Sequence, residues 1–434
     1  MDILDIIRKK RDGEELSAEE IKFLIKGYSE GTIPDYQMAA FLMAVFFRKL
    51  SVEETVVLTE AMRDSGEIAD LSDVKGFKVD KHSTGGVGDK TTLIAAPVAS
   101  ACGVPVAKMS GRGLGFTGGT VDKLEAIPGF RISLSREDFA NQVNTAGIAV
   151  IGQSEKIAIA DKKIYALRDV TGTVENTGLI TSSIMSKKLA SGSDGILLDV
   201  KWGKGAFMKT EEEAAELAQW MVDIGNKAGK KTMAVITDMN QPLGKAVGNS
   251  LEVAEAIEVL KGKGPEDITE LSVFLAGMMI SMSLNVSSEE GISRAKNAIQ
   301  RGSALEKFRE FVRMQGGNPE VADNPELMGK AMLCRNITAD SDGYVSEIDA
   351  MKIGIASRHT GAGREKKGDS INLNAGVLLE KKRTDMVKKG DVLCRVYGDS
   401  EEKLEAAASI CAEAFEIEKE KPCERQLIKD IIGR

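Results

Sequence analysis

The sequence predicts an α/β protein in three parts: a small all-helical domain, a large α/β domain with a mainly parallel sheet, and a mixed, β-rich C-terminal domain. Three observations predict this class. The N-terminal region has the apolar spacing of helices without a strand pattern, and the middle of the chain alternates strand-like runs with Gly-rich loops and helical stretches. After Gly343, short strand-like runs are separated by basic turns. Alternation of strands and helices is typical of a parallel sheet covered by helices.

The helical domain is predicted from residues 1–70. Ser17–Glu20 and Ser51–Glu54 have the capping-box spacing, in which the Ser and Glu side chains satisfy free backbone N–H groups at the start of a helix. The segment Gly31–Pro34 has the residues that end one helix and precede another. Residues 160–192 return to a helical pattern, so we assign them to the same domain.

The α/β domain is predicted from residues 71–159 and 193–335, on either side of the returning helical segment. Its strand-like runs are Phe77–Asp80, Pro105–Met109, Gly195–Val200 and Thr232–Ile236. Its later helices are expected near residues 210–228, 250–262, 268–284 and 288–316. Residues 336–434 form the C-terminal domain, with strands expected at Tyr344–Ile348, Val377–Glu380, Val392–Val396 and Phe415–Lys419 and a helix at Ser400–Ala414.

Composition and charge argue against several classes of protein. The net charge is −8 and the pI is near 5.3, whereas nucleic-acid binders carry a basic face, so no nucleic-acid partner is expected. The apolar stretches Met38–Phe47 and Val273–Ile280 are shorter than the ~20 residues that span a bilayer, and the first residues lack a signal-peptide pattern, so no membrane partner is expected. Five cysteines without C-x-x-C spacing indicate reduced thiols in a cytoplasmic protein and no zinc site.

The strongest functional signal is the segment Lys81–Asp89, KHSTGGVGD, between a predicted strand and a predicted helix. Glycines allow backbone N–H groups to face an anion, and the start of a helix adds a positive dipole end. Lys81 supplies a full charge, and Ser83 and Thr92 supply hydroxyl donors. The segment predicts a phosphate cradle, with a turn that binds nothing as the alternative. It is not a Walker A loop, because Lys90 follows Asp where that motif requires Gly.

A second Gly-rich loop, Ser110–Thr120, has the spacing G-x-G-x-x-G between Gly113 and Gly118. This spacing also occurs in dinucleotide-binding loops, but no strand with an acidic ribose ligand is evident after it. Two consecutive Gly-rich loops with Ser and Thr donors fit one small oxyanion, held from two sides, better than they fit a dinucleotide.

These loops carry a resemblance to a known family. Ser110–Glu125, SGRGLGFTGGTVDKLE, resembles the signature of the thymidine and pyrimidine-nucleoside phosphorylases, the Lys81–Asp89 loop is similar to theirs, and the similarity extends over essentially the whole chain. The resemblance implies reversible phosphorolysis of pyrimidine nucleosides to the free base and α-D-(deoxy)ribose 1-phosphate, with inorganic phosphate as co-substrate and no organic cofactor. It also implies a homodimer, hinges between the helical and α/β domains, and a C-terminal α+β domain.

The resemblance also implies which residues form the site. The phosphate contacts are Lys81, Ser83, Thr92, Lys108, Met109, Ser110 and Thr120. The catalytic residues are His82, Arg168, Ser183 and Lys187. The last three of these contact the pyrimidine, and His82 donates a proton toward O2 of the base with a pKa suited to neutral pH. A structural K⁺ is expected among Gly88, Lys90, Leu243, Ala246 and Glu255.

Three positions qualify these expectations. Lys90 stands where relatives have Thr, so it would bind K⁺ only through its carbonyl oxygen. Phe116 stands where most relatives have His and cannot donate a hydrogen bond. Lys108 stands where thymidine-restricted members have Met, and an ammonium there could reach the ribose 2′-hydroxyl as well as phosphate. We therefore expect uridine to be a substrate alongside thymidine and deoxyuridine, with a thymidine-restricted enzyme as the alternative.

Taken without the resemblance, each residue also has a structural explanation. Arg168 has an acidic neighbour and could form a surface ion pair, Ser183 and Lys187 could form a solvated helix face, and His82 could be a partly buried structural histidine. Two other functions stay open on the sequence. One is an anthranilate-type phosphoribosyltransferase, which has a similar fold but needs acidic Mg²⁺ ligands for a diphosphate. The other is a nucleoside-binding protein without catalysis.

Overall fold

The computed structural model describes residues 1–113, 118–154, 156–364 and 369–433. In these residues the predicted fold class is confirmed. The helices are α1 (Ile3–Asp12), α2 (Ala18–Glu30), α3 (Asp35–Arg48), α4 (Val52–Asp64), α5 (Thr91–Ala101), α6 (Thr120–Leu124), α7 (Arg136–Ala146), α8 (Ile159–Thr171), α9 (Thr177–Ala190), α10 (Glu211–Lys227), α11 (Asn249–Leu260), α12 (Glu266–Leu284), α13 (Ser288–Gln300), α14 (Ser303–Met314), α15 (Ala350–Ser357) and α16 (Glu401–Ala412). The strands are β1 (Val79–Ser83), β2 (Val106–Ser110), β3 (Ile148–Gly152), β4 (Gly195–Trp202), β5 (Lys231–Asp238), β6 (Ala246–Val247), β7 (Leu333–Thr338), β8 (Gly343–Ile348), β9 (Gly376–Leu379), β10 (Met386–Val387), β11 (Val392–Gly398), β12 (Phe415–Glu418) and β13 (Ile428–Ile432).

The helical domain consists of α1–α4 and the returning pair α8 and α9. Both predicted capping boxes are present: Ser17 and Ser51 each accept from the N–H group three residues later, and the Glu side chain there accepts from the Ser N–H group. Gly172 separates α8 from α9 at a φ of 65°. The domain has one apolar core, which includes Leu24, Phe41, Leu58, Ile164 and Leu179.

Strands β1, β4 and β5 form the parallel centre of the α/β domain, and β13 pairs antiparallel with β5. The register places His82 opposite Leu198, and Leu198 opposite Ala234. Strands β2 and β3 form a separate parallel pair that contacts the first sheet through β1. Because β1 ends at Ser83 and β2 ends at Ser110, each strand leads directly into one of the two Gly-rich loops.

Helix α12 lies in the interior of the α/β domain, where it packs against α5 and α13. Among the described residues it is the one helix that is long and apolar enough to cross a membrane by length and composition. Its buried residues, such as Leu271, Leu275 and Met279, belong to the main apolar core. The core therefore accounts for the apolar character of α12.

The C-terminal domain contains two antiparallel sheets, ordered β10-β8-β12 and β6-β9-β11-β7. The expected boundary between residues 335 and 336 falls inside β7, which pairs with β11. The α/β domain contributes β6 to a C-terminal sheet, and the C-terminal region returns β13 to the α/β sheet. The helix expected over 288–316 is two helices, because Gly302 adopts a φ of 75° between α13 and α14. Strand pairing therefore joins these two domains.

Candidate active site

A cavity of about 310 Å³ lies where the two Gly-rich loops of the α/β domain face α9 of the helical domain. Eight of the residues predicted for the site line it: His82, Ser83, Thr92, Lys108, Met109, Ser110, Thr120 and Lys187. The ends of β1 and β2, the starts of α5 and α6, and α9 of the helical domain therefore bring together most of the predicted phosphate contacts and one of the predicted pyrimidine contacts.

The first Gly-rich loop turns at Gly85 and Gly88, whose φ values of 92° and 73° favour glycine. A Cβ atom at Gly88 would lie 2.5 Å from the carbonyl oxygen of Leu243, so the close approach of that segment also requires glycine. Ser83 Oγ donates to Asp89 Oδ2 at 2.5 Å, and Gly85 N–H donates to Ser83 Oγ at 3.1 Å. These bonds fix the Ser83 hydroxyl at the cavity wall.

Beside the cavity, the buried carboxylate of Asp80 bridges two lysines. Its Oδ1 lies 3.3 Å from Lys108 Nζ, and its Oδ2 lies 2.7 Å from Lys188 Nζ. Burial alone would raise the pKa of Asp80, but the two ammonium groups lower it. Burial, with repulsion from Lys188 and Lys81, lowers the pKa of Lys108 to about 8 despite the attraction of Asp80. The Lys108 ammonium group is therefore easier to deprotonate than that of an exposed lysine.

Lys81 is placed differently from the expectation. Its ammonium group lies 3.2 Å from Asp199 Oδ2 and donates to Thr91 Oγ1, and the side chain is almost fully buried. These contacts hold Lys81 behind the loop, against the neighbouring strand β4 and the start of α5. Lys81 is not among the described residues that line the cavity, and its expected direct contact with phosphate stays a prediction.

The helical domain contributes Lys187 and Ser183 from successive turns of α9. Lys187 Nζ donates to Ser183 Oγ at 3.0 Å and forms an ion pair with Asp161 of α8. Lys187 lines the cavity, whereas Ser183 is buried behind it. The structure therefore brings Lys187 to the cavity directly, whereas Ser183 contacts the Lys187 ammonium group.

Arg168 lies inside the helical domain, away from the cavity where it was expected. Its guanidinium group donates to the carbonyl oxygens of Thr173, Val174 and Leu179 at 3.0, 2.6 and 3.0 Å, and the residue is 1% exposed. Burial lowers the pKa of Arg168 to about 10, so the group stays charged at neutral pH. In this geometry Arg168 holds the connection between α8 and α9, and its expected contact with the pyrimidine stays a prediction.

His82 lies in the cavity wall, but its protonation differs from the expectation. Burial and the charges of Lys188, Lys108, Lys81 and Lys187 lower its pKa well below 6.5. Within the part of the chain that the structure describes, its Nε2 atom is buried without a hydrogen-bond partner. The pKa of His82 is therefore lower than the value near neutrality that the sequence analysis expects, which favours the neutral imidazole; a neutral ring can still donate one hydrogen bond and accept another.

A lysine side chain fills the expected K⁺ site. Lys90 Nζ lies 2.9 Å from the carbonyl oxygen of Leu243 and 3.0 Å from that of Ala246, and it forms an ion pair with Glu255. The carbonyl oxygen of Gly88 accepts from Lys90 N–H. The Lys90 side chain is fully buried. The residues expected to bind K⁺ therefore surround an ammonium group, and they do not fit an additional cation.

Sequence reasoning missed several residues of this region. Lys188 and Gln153 line the cavity, Arg112 lies at its rim, and Asp161 holds Lys187 from behind. Lys188 and Arg112 could have been found from the sequence, because Lys188 directly follows Lys187 and Arg112 lies in the second Gly-rich loop. Asp161 and Gln153 take their places only through tertiary packing. Phe116, which departs from the family pattern, lies outside the described residues.

Three family models match the chain in the same order as its domains. Residues 4–66 match the glycosyl transferase family helical bundle domain, and residues 75–305 match the glycosyl transferase family a/b domain. Residues 344–418 match the pyrimidine nucleoside phosphorylase C-terminal domain.

Curated relatives and a solved structure agree with these matches. The chain is 54% identical over 421 residues to the pyrimidine-nucleoside phosphorylase of Staphylococcus haemolyticus, covering 95% of this chain and 97% of the relative. It is 53% identical over 411 residues to that of Bacillus subtilis, covering 94% and 95%. Anthranilate phosphoribosyltransferase from Thermus thermophilus matches 73% of this chain and 99% of its own with a TM-score of 0.59 at 20% identity, a likeness of fold alone. With these relatives and domain matches, the chain belongs to the pyrimidine-nucleoside phosphorylase family of glycosyltransferases.

Proposed function

We propose that the protein catalyses the reversible phosphorolysis of pyrimidine nucleosides, in which inorganic phosphate replaces the base on C1′ and yields a pentose 1-phosphate. The observation that carries this function is the cavity itself. In it, two Gly-rich loops with hydroxyl and ammonium donors face Lys187 of the helical domain, with His82 in the wall. One side suits a phosphate, and the other suits the carbonyl oxygens of a pyrimidine. Relatives more than half identical to this chain support the same reaction.

The phosphate half is proposed to use the hydroxyl groups of Ser83, Thr92, Ser110 and Thr120 with the ammonium group of Lys108. Hydroxyl and backbone N–H donors can surround a phosphate, and a protonated lysine adds charge where solvent is scarce. Met109 lines the same wall, and its carbonyl oxygen accepts a hydrogen bond from Lys188 Nζ at 3.2 Å. Lys81 adds positive charge from behind the loop.

The base half is proposed to stabilise charge on the leaving pyrimidine. As the C1′–N1 bond breaks, its electron pair moves to the base, while a phosphate oxygen bonds to C1′ from the opposite face. Lys187 donates to a carbonyl oxygen of the base and is positioned by Ser183 and Asp161. The neutral imidazole of His82 donates its N–H toward O2. Because the two halves lie on different domains, closure of the domains brings the reactants together.

Substrate breadth is proposed to follow from Lys108, which lines the cavity beside the phosphate loops. A protonated ammonium group there can donate to the ribose 2′-hydroxyl, and a site built around a hydroxyl discriminates strongly when that hydroxyl is left unpaired. Uridine is therefore expected as a substrate together with thymidine and deoxyuridine.

The reaction is tested by incubating the protein with uridine, with and without inorganic phosphate, and following uracil and ribose 1-phosphate. We expect uracil only when phosphate is present, in equal amount to ribose 1-phosphate. Uracil release without phosphate would indicate a hydrolase, and no release with phosphate would contradict the proposal.

In Ser110→Ala, the KM for phosphate should rise about 10-fold or more, and the KM for uridine should change far less. The exposed hydroxyl of Ser341, far along the chain in a C-terminal turn, provides the matched control Ser341→Ala.

A homodimer is proposed through an exposed apolar face of α3. Tyr36, Met43 and Phe47 are 74%, 36% and 74% exposed, and their spacing places them on one side of the helix. Such a face is typical of a contact with a second protein surface, here a second copy of the chain. Light scattering should give twice the chain mass for the wild type and the chain mass for Tyr36→Glu with Phe47→Glu. An unchanged mass in the double variant would contradict this interface.

A cytoplasmic location is proposed from the cysteines. All five thiols are free, and Cys394 and Cys411 are buried in the C-terminal domain. Free thiols persist in a reducing compartment. Recovery of the protein in the secreted fraction of its native cells would contradict this location.

A further inference from the structure

The residues that the family resemblance implies for a structural K⁺ hold the ammonium group of Lys90 in this chain. We propose that Lys90 replaces the monovalent cation, so that the protein keeps its fold and its phosphate loop without K⁺. The inference concerns the folded structure and does not rest on the proposed reaction.

The contacts of Lys90 account for every proton of its ammonium group. The three N–H donors meet the carbonyl oxygens of Leu243 and Ala246, at 2.9 and 3.0 Å, and the Glu255 carboxylate. The two distances to the carbonyl oxygens are those of well-formed N–H···O hydrogen bonds. The positive charge that oxygen ligands would otherwise draw from solution is therefore already supplied by the chain.

The space around this group is closed to a second cation. A Cβ atom at Gly244 would lie 2.9 Å from Lys90 Nζ and 2.3 Å from Glu255 Oε2, so the backbone fits closely around the ion pair. The Lys90 side chain is 0% exposed. A cation placed among the same oxygens would meet the ammonium charge at close range in a medium of low polarity. Lys90 Nζ and K⁺ therefore exclude one another.

The ammonium group also performs the structural task of a bridging cation. Lys90 directly precedes α5 and follows the first Gly-rich loop, and its side chain reaches the segment between β5 and α11. A second link is the hydrogen bond from Leu243 N–H to the carbonyl oxygen of Val87, at 3.0 Å. On the far side of this segment, Lys382 Nζ donates to the carbonyl oxygen of Gly244 at 2.8 Å. The segment is therefore held between two lysines, one of which ties it to the phosphate loop.

A tethered ammonium group and a bound ion differ in one measurable respect. An ion that binds only the folded protein raises the Tm in proportion to the logarithm of its concentration above the Kd. A covalently attached charge has no such dependence. The proposal therefore predicts that the Tm of the wild type is the same in KCl and in choline chloride of equal ionic strength, to within about 1 °C.

The test uses two substitutions of Lys90 in the full-length protein. Lys90→Thr removes the ammonium group and leaves the carbonyl oxygens and Glu255 open to an ion, so its Tm in choline chloride should fall by roughly 5 °C or more and be largely restored by K⁺ in a saturable way. Lys90→Met is the matched control, because its side chain has a similar length and no charge. Its Tm should fall in both salts, without restoration by K⁺.

Three results would overturn the proposal. The first is a saturable rise of the wild-type Tm with K⁺ that choline does not produce. The second is anomalous scattering from Tl⁺ among Leu243, Ala246 and Glu255 in wild-type crystals soaked in a thallium salt. The third is Lys90→Thr with the same Tm in both salts. The first two need only the wild type, so they decide the matter even if the variants do not fold, and none of the three depends on turnover of a nucleoside.

Discussion

Lys188 Nζ lies 2.7 Å from Asp80 Oδ2, and this ion pair joins α9 of the helical domain to β1 of the α/β domain beside the cavity. Both residues are buried, and the same carboxylate also pairs with Lys108. One acidic residue therefore connects Lys108 of the cavity wall with the helix that carries Lys187. This carboxylate therefore links α9 directly to the strand that leads into the first Gly-rich loop.

Asp80→Asn should destabilise the protein and weaken phosphate binding. The substitution leaves two buried ammonium groups without their common partner, and breaking a buried ion pair in this way costs about 3–5 kcal/mol. It also removes the attraction that raises the pKa of Lys108. The Tm by calorimetry should fall clearly below that of the exposed control Asp340→Asn. Equal Tm values for the two variants would contradict the role given to Asp80.

The pKa of about 8 for Lys108 predicts a pH dependence of phosphate binding. Above that pH the ammonium group loses its proton, so the KM for phosphate in the wild type should rise by up to about tenfold per pH unit. The Lys108→Met variant should have a higher KM that stays flat between pH 8 and 9.5. A flat profile in the wild type would exclude Lys108 as a charged phosphate contact.

The lowered pKa of Lys108 affects folding stability in the opposite direction from phosphate binding as the pH rises. The unfolded chain holds the Lys108 proton up to a pKa near 10.5, whereas the folded protein releases it near 8. Between these values the unfolded state binds more protons, so the contribution of Lys108 to stability improves as the pH rises through this window. A loss of phosphate binding above pH 8 would therefore not mean that deprotonation of Lys108 unfolds the protein.

His82 should stay uncharged across the neutral range. Burial and four neighbouring lysines lower its pKa well below 6.5, so its imidazole should not titrate between pH 6 and 8. The chain has two histidines, and His82→Gln assigns the resonance by its disappearance from a ¹H–¹⁵N spectrum of the imidazole nitrogens. A His82 resonance that titrates near pH 6.5 would contradict the lowered pKa and favour the proton donor with a pKa near neutrality that the sequence analysis expects.

Local patterns predicted the helical domain and the positions of the two Gly-rich loops because their signals are short-range. The capping boxes at Ser17 and Ser51 depend on residues three apart, and each Gly-rich loop directly follows its own strand. The antiparallel pairing of β13 with β5 joins residues nearly two hundred positions apart, and no local pattern encodes it. The expected domain boundary between residues 335 and 336 falls inside β7, because the pairing of β7 with β11 also joins residues that are distant in the sequence.

At the site, too, the sequence identifies the residues but does not predict their contacts. The sequence and its resemblance named Lys90, Lys81 and Arg168 as ligands, but which acceptor each positive group meets depends on the folded surroundings. Lys90 meets two backbone carbonyls and a carboxylate, Lys81 meets Asp199, and Arg168 meets three carbonyls of its own domain. A buried cation is bound to the nearest acceptors that fold against it, and sequence spacing does not reveal them.

Lys108→Met should also change the choice of sugar. Met cannot donate to the ribose 2′-hydroxyl, so kcat/KM should fall further for uridine than for thymidine, by about 10-fold or more in their ratio. The measurement compares both nucleosides at pH 7 and saturating phosphate, in the wild type and in the variant. An unchanged ratio would mean that Lys108 serves phosphate alone, and a wild type inactive on uridine would make the enzyme thymidine-restricted.

Arg168 offers a test between a structural role and contact with the base. Arg168→Lys keeps the charge but cannot donate along three directions of a planar group, so the carbonyl oxygens of Thr173, Val174 and Leu179 cannot all be satisfied. If Arg168 only holds the α8–α9 connection, the Tm should fall by several degrees, and the folded enzyme at low temperature should keep a KM for uridine within about threefold of the wild type. The Arg168→Met variant should have a lower Tm than Arg168→Lys, since methionine donates to none of the three carbonyl oxygens. A large rise in KM with an unchanged Tm would instead mean that the guanidinium leaves these carbonyls and reaches the base when the domains close.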